Sequence, residues 1–99
     1  MDERRPDVGL PVRRRAIFSG TVQGVGFRYT ACRVAGDFEV TGYVRNLGTG
    51  QVEVIVEGTA AELDRFIARL NERMDGYIRR VEVEESPAVG EFDAFEIRF

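Results

Sequence analysis

The stretch Val40-Thr41-Gly42-Tyr43-Val44-Arg45-Asn46-Leu47-Gly48-Thr49-Gly50-Gln51-Val52-Glu53-Val54-Ile55-Val56-Glu57 decides the fold. Residues 40–45 and 51–57 are rich in valine and read as two strands, and the glycine-bearing turn between them makes the pair a hairpin. Val52, Val54 and Val56 fall on one face of the second strand and Glu53 and Glu57 on the other, so one side is expected in the core and the other at least partly wet.

Downstream, Thr59 and Glu62 have the spacing of a capping box, and Leu63, Phe66, Ile67, Leu70 and Met74 follow at helical intervals until Gly76. Residues 78–84 alternate again, and after a loop around Pro87 and Gly90 the apolar positions Phe95, Ile97 and Phe99 predict a short last strand. Upstream, Ala16, Phe18, Gly20 and Val22 alternate with Ile17, Ser19 and Thr21, a strand that residues 23–26 interrupt. Phe27, Ala31, Val34, Ala35 and Phe38 then predict a helix starting near Phe27. The order is βαββαβ plus a terminal strand. With right-handed crossovers it folds as an α+β ferredoxin-like sandwich, an antiparallel sheet with two helices on one face.

Pro6, Gly9 and Pro11 among charges mark residues 1–12 as a flexible leader, leaving residues 13–99 as one domain. The 99 residues, 43% hydrophobic and 31% charged, suffice for a single core without a metal or disulfide staple. Cys32 is the only cysteine, so no intrachain disulfide forms and a reducing, cytoplasmic setting is expected. No secretory signal or membrane-length apolar run is present. A net charge of −3 argues against nucleic-acid partners, which need a cationic surface.

Composition also narrows the chemistry. The chain has no histidine, and all 14 basic residues are arginine. Histidine general bases, histidine metal ligands and lysine Schiff bases are therefore excluded together, and catalysis must rest on positioning and electrostatics.

Two segments carry such chemistry. In Gly20-Thr21-Val22-Gln23-Gly24-Val25-Gly26-Phe27-Arg28, glycines between a strand and a helix let successive N–H groups turn inward. An arginine at the helix start adds a bidentate phosphate contact. Gln23, Gly24, Val25, Gly26, Phe27 and Arg28 are thus the candidate phosphate-binding residues. The spacing matches neither the Walker A loop nor the dinucleotide fingerprint. Taken alone, such a loop is more often a tight strand-to-helix turn with a solvated arginine. Asn46, in Gly42-Tyr43-Val44-Arg45-Asn46-Leu47-Gly48-Thr49-Gly50, is by itself a residue of turn chemistry.

Together the two segments resemble the acylphosphatase family, whose signatures are a Val-Gln-Gly-Val-Gly-Phe-Arg loop and a Gly-aromatic-Val-Arg-Asn strand with glycine four positions after the asparagine. Both are matched, at residues 22–28 and 42–50, and the resemblance extends from about Arg15 onward. It implies hydrolysis of acyl phosphates to carboxylate and inorganic phosphate, with no cofactor and no metal. By position, Arg28 resembles the phosphate-binding arginine and Asn46 the water-orienting asparagine. The expected partners are an acyl phosphate substrate and inorganic phosphate as product and competing ligand, with the chain a monomer.

Three departures from the pattern stand out. Glu39 stands where relatives often carry a capping glycine, so the first helix is expected to stop at Gly36; Leu47 lacks a hydroxyl; Thr30 and Ala31 replace bulkier residues. Cys32, one turn after Arg28, reads as a buried inert thiol, Arg13, Arg14 and Arg15 as a solvated strand start, and the acids of residues 82–85 as the wet side of an edge strand. The competing reading is a non-catalytic module binding phosphate or carbamoyl phosphate on the same scaffold, akin to the acylphosphatase-like domain of hydrogenase-maturation carbamoyltransferases. An RNA-binding sheet of the RRM type is disfavoured, because the RNP aromatic spacing is missing.

Overall fold

The computed structural model describes residues 9–99, so most of the leader expected over residues 1–12 lies outside the described residues. The elements are β1 (Val12–Gly20), α1 (Phe27–Ala35), β2 (Thr41–Asn46), β3 (Val52–Gly58), α2 (Ala60–Arg73), β4 (Ile78–Pro87) and β5 (Phe95–Ile97). They form one sheet in the order β4-β1-β3-β2-β5. The pairs β1–β3, β1–β4 and β2–β3 are antiparallel, while β5 runs parallel to β2 along the sheet edge.

The even-numbered residues of β1 and β3 point toward the helices. Ala16, Phe18, Val52, Val54 and Val56 are buried in one cluster with Phe27, Ala31 and Val34 of α1 and Leu63, Phe66 and Leu70 of α2. Each such large side chain contributes about 1.5–3 kcal/mol by leaving water, which is why period-two strands and period-3.6 helices with facing apolar stripes close on each other. α1 stops at Gly36, as expected. Phe38 lies beyond the helix and still packs half-buried against the core, under the Arg69 guanidinium at 5.4 Å.

The capping box forms only in part. The Thr59 hydroxyl accepts from the Glu62 amide at 3.3 Å. The Glu62 carboxylate, instead of returning to its own helix end, accepts from the Glu39 amide at 2.8 Å and so ties the entry of β2 to the start of α2.

The opposite face of the sheet differs from expectation. Glu53 and Glu57 are buried, at 3% and 5% exposure, not partly wet. Arg15 and Arg45 each donate through Nε to Glu53 at 2.7 Å. Arg13 donates to Glu57 at 2.7 Å, and the amides of Val89 and Gly90 add bonds of 2.8 and 3.0 Å. Arg14 turns the other way, to Asp64 and Glu85. The run of three arginines is therefore only partly a solvated strand start: Arg15 stays exposed, but alternation sends the three to opposite faces, and each finds a carboxylate there. Burial alone would push both glutamates up, but the arginines and, for Glu57, the two amides outweigh it and hold both carboxyls below their ordinary value of 4.5.

Candidate active site

Strand order puts the two motifs together. β1 and β2 both run antiparallel to β3, so they are parallel to each other and end at the same edge of the sheet. Val52 is the common reference: Phe18 pairs with it from one side and Asn46 from the other. The loop after β1 and the asparagine closing β2 are thus neighbours across one intervening strand.

The loop is held open by two glycines. Gly24 and Gly26 both have φ of 80°, and a Cβ at either would meet nothing within 4 Å. What these positions demand is left-handed backbone, not space, and an L-residue there is strained by about 1–2 kcal/mol. The consequence is a run of unpaired donors. Among the described residues, no N–H of residues 23–29 has an acceptor within the protein; the first amide to find one is Thr30, on the Gly26 carbonyl at 2.9 Å. The first amides of a helix have no intrahelical acceptor, and such a run of open donors at a helix N-terminus suits an anion. The first turn of α1 holds no acidic residue that would oppose negative charge there.

Arg28 is the second residue of α1, after Phe27, whose ring is locked against Phe18 with centroids 4.9 Å apart. Among the described residues the Arg28 guanidinium has no carboxylate partner and lies 5.1 Å from the centre of the Phe99 ring. Its donors stay available, unlike those of Arg13, Arg14, Arg15 and Arg45, which are committed to acids. Asn46 is half-buried, and among the described residues its carboxamide makes no hydrogen bond within the protein. These groups share a pocket of about 180 Å³ lined by Val22, Gly24, Gly26, Phe27, Arg28, Tyr29, Asn46, Ile97 and Phe99, with no acidic side chain in the wall.

Of the residues singled out from sequence, Gly24, Gly26, Phe27, Arg28 and Asn46 line this pocket, while Gln23 and Val25 do not. Val25 packs against the core. The Gln23 side chain turns to the hairpin, donating to the carbonyls of Leu47 and Gln51 at 2.8 Å each. Val22, Tyr29, Ile97 and Phe99 line the pocket as well, beyond the candidate residues that the sequence motifs single out. Alternation had placed Ile97 and Phe99 on one apolar face, but only the parallel pairing of β5 with β2 brings that face to the site. Cys32 stays outside the lining; burial, and then the charge of Glu96, push its thiol above the ordinary 9.0. Among the described residues no group of three or more His, Cys, Asp or Glu side chains gathers where a metal ion could bind.

Residues 14–97 match the family model for acylphosphatase. The chain belongs to the acylphosphatase family. It is 42% identical to the acylphosphatase of Paenarthrobacter aurescens (strain TC1) over 87 residues, 87% of this chain and 93% of that protein. It is 44% identical to that of Methanospirillum hungatei JF-1 over 84 residues, 83% of this chain and 91% of the relative. The crystal structure of acylphosphatase from Bacillus subtilis superposes with a TM-score of 0.82 at 30% identity, covering 89% of this chain and 99% of that one. Full-length HypF in its phosphate- and nucleotide-bound form is also similar, with a TM-score of 0.78 at 30% identity, over 92% of this chain but 12% of that chain. Light-regulated adenylyl cyclase, at 15% identity and a TM-score of 0.67, shares the fold alone. The chain is accordingly an enzyme of the family, a hydrolase on a ferredoxin-like scaffold.

Proposed function

We propose that this chain hydrolyses the carboxyl–phosphate bond of small acyl phosphates by in-line attack of water, with Arg28 and the loop amides holding the phosphoryl group and Asn46 orienting the nucleophile. The observation that carries this reading is a loop whose amides have no acceptor among the described residues and whose Gly24 and Gly26–Tyr29 line the same pocket as Asn46, with Arg28 free of a carboxylate partner.

The chemistry asks for little more. A carboxylate leaving group has a low pKa and departs without protonation, so a general acid is dispensable. What remains is to hold the dianion, neutralise charge on its equatorial oxygens and place water in line with phosphorus. Arg28 grips two oxygens as a planar fork, and the main-chain donors and the positive end of α1 take the rest. The Asn46 side-chain carbonyl accepts from the water. An amide is too weak a base to take the proton before attack, so its role is orientation, and a phosphoryl oxygen receives the proton. A chain without histidine or lysine is thereby equipped for the reaction, and we infer that it proceeds without a metal, in the cytoplasm, in a monomer.

The test is hydrolysis of benzoyl phosphate in chelator by the wild type and two variants. Asn46→Ala is expected to keep the fold and lose most turnover, and a kcat near wild type would remove Asn46 from the mechanism. Arg28→Ala is expected to weaken inhibition by inorganic phosphate as well as rate, and an unchanged phosphate Ki would remove Arg28 from the pocket's chemistry. Binding of phosphate without any turnover in the wild type would favour a binding module on this scaffold.

A further inference from the structure

The phosphate loop and the asparagine lie on strands that do not touch. β3 separates β1 from β2, so the two halves of the site stand two strand spacings apart, roughly 10 Å at the level of the backbone. Something has to fix that span, because in-line attack tolerates little error in the position of the water relative to the held phosphorus. Among the described residues, a side chain of the loop itself crosses it. Gln23, the first residue of the unpaired loop, sends its carboxamide to the mouth of the β2–β3 turn, where Nε2 donates to the carbonyls of Leu47 and Gln51 at 2.8 Å each. Both N–H bonds of the amide are used. The two acceptors are the ends of the turn, already joined by the Leu47 amide donating to the Gln51 carbonyl at 2.8 Å.

A reciprocal tie runs back. The Gln51 side chain donates through Nε2 to the Ser19 hydroxyl of β1 at 2.9 Å, and its own carbonyl is oriented by the Thr49 hydroxyl at 2.8 Å. The loop is thus pinned to the residue that follows Asn46, and the turn is pinned to the strand that precedes the loop. Gln23 does not line the pocket; the effect of its side chain passes through the placement of Leu47, hence of Asn46.

We propose that Gln23 is a positioning residue for the hydrolytic step, its carboxamide setting the span between the phosphate-holding amides and Asn46. This rests on the roles assigned above to the loop, Arg28 and Asn46. Removing the two donors loosens the tie between loop and turn but leaves the loop amides, the left-handed glycines and Arg28 in place, so the water loses its alignment while the phosphoryl group keeps its grip.

The experiment measures kcat and KM for benzoyl phosphate and Ki for inorganic phosphate in Gln23→Met, Asn46→Ala and the double variant. Gln23→Met is expected to lower kcat about tenfold or more with the phosphate Ki within about twofold of wild type. In the Asn46→Ala background the same substitution is expected to cost less than about twofold, since residues acting as a unit are not additive. A folded Gln23→Met enzyme with wild-type kcat would overturn the proposal, as would two losses that multiply in the double variant. Should Gln23→Met not fold, Gln23→Asn keeps the amide on a stem one methylene shorter; it is expected to lower kcat by about threefold or more, and wild-type kcat in it overturns the proposal equally. If Asn46→Ala alone retains wild-type kcat, the assignment of the water-orienting group has failed, an outcome distinct from the failure of Gln23.

Discussion

Gly26→Ala isolates what the backbone of the phosphate loop contributes. Gly26 caps α1 in the left-handed region, at φ 80° and ψ 20°, and a Cβ there meets nothing within 4 Å. The substitution therefore adds no steric overlap, and the whole effect is the conformational cost of an L-residue, about 1–2 kcal/mol. Against a typical domain stability of about 5–15 kcal/mol, the protein stays folded. For a domain of this size about 1 kcal/mol lowers Tm by roughly 4–8 °C, so a fall of roughly 5–15 °C is expected in a thermal melt followed by circular dichroism. The variant has one escape, which is to rotate residue 26 into a relaxed conformation. That turns the amides of residues 26–28 away from the pocket and raises the phosphate Ki by about tenfold or more, at a smaller loss of Tm. Tm and Ki both unchanged would refute the claim that a left-handed Gly26 holds the donors in place. Gly42→Ala supplies the contrast. Its φ is 144°, and the new Cβ would overlap the Ile55 carbonyl oxygen, 2.8 Å from the Ile55 carbonyl carbon and 2.9 Å from the Val56 Cα. Those atoms belong to the β2–β3 ladder and cannot move aside, so no soluble folded protein is expected at 37 °C.

Turnover of benzoyl phosphate is expected to be unchanged after exhaustive dialysis against EDTA, and a loss restored by a divalent ion would overturn the metal-free reading. Cys32→Ala is expected to leave kcat within about twofold, and with its thiol pushed above 9.0 by burial, alkylation at neutral pH is expected to be slower than for an exposed thiol. Glu53 and Glu57 are both held below 4.5 in the folded protein. The stability they supply is complete above that pH and drains away as pH falls through their lower folded-state values, so Tm is expected to decline on acidification below about 4.5. Glu53→Gln is expected to flatten part of that decline while lowering Tm at pH 7, because Arg15 and Arg45 lose their shared carboxylate; a steeper acid decline in the variant would contradict the assignment.

The elements were legible because their periods are clean. Phe27, Ala31, Val34 and Ala35 repeat at helical spacing, and Val52, Val54 and Val56 alternate, so local pattern and tertiary burial agree. Where the chain departs from these readings, a partner distant in sequence has intervened. Glu62 has the spacing to cap its own helix, but the Glu39 amide, 23 residues away, takes its carboxylate. Glu53 and Glu57 look solvent-facing because charged residues usually are. What buries them is three arginines on neighbouring strands and the loop after β4, and no local window contains these together.

The site follows the same division. Glycines that free amides, an arginine at a helix start and an asparagine at a strand end are readable one segment at a time, because each works through its own backbone conformation. Their convergence is a property of strand order: only with β3 between β1 and β2, antiparallel to both, do the C-terminal ends of β1 and β2 lie side by side. The Gln23 bridge is the least legible piece, since its acceptors are main-chain carbonyls 24 and 28 residues away that any sequence would offer. A glutamine beside glycines carries no mark of such a role until the turn it reaches is in place. The groups proposed to hold the phosphoryl group can thus be singled out from composition and spacing, whereas the contact proposed to align them has to be read from the folded chain.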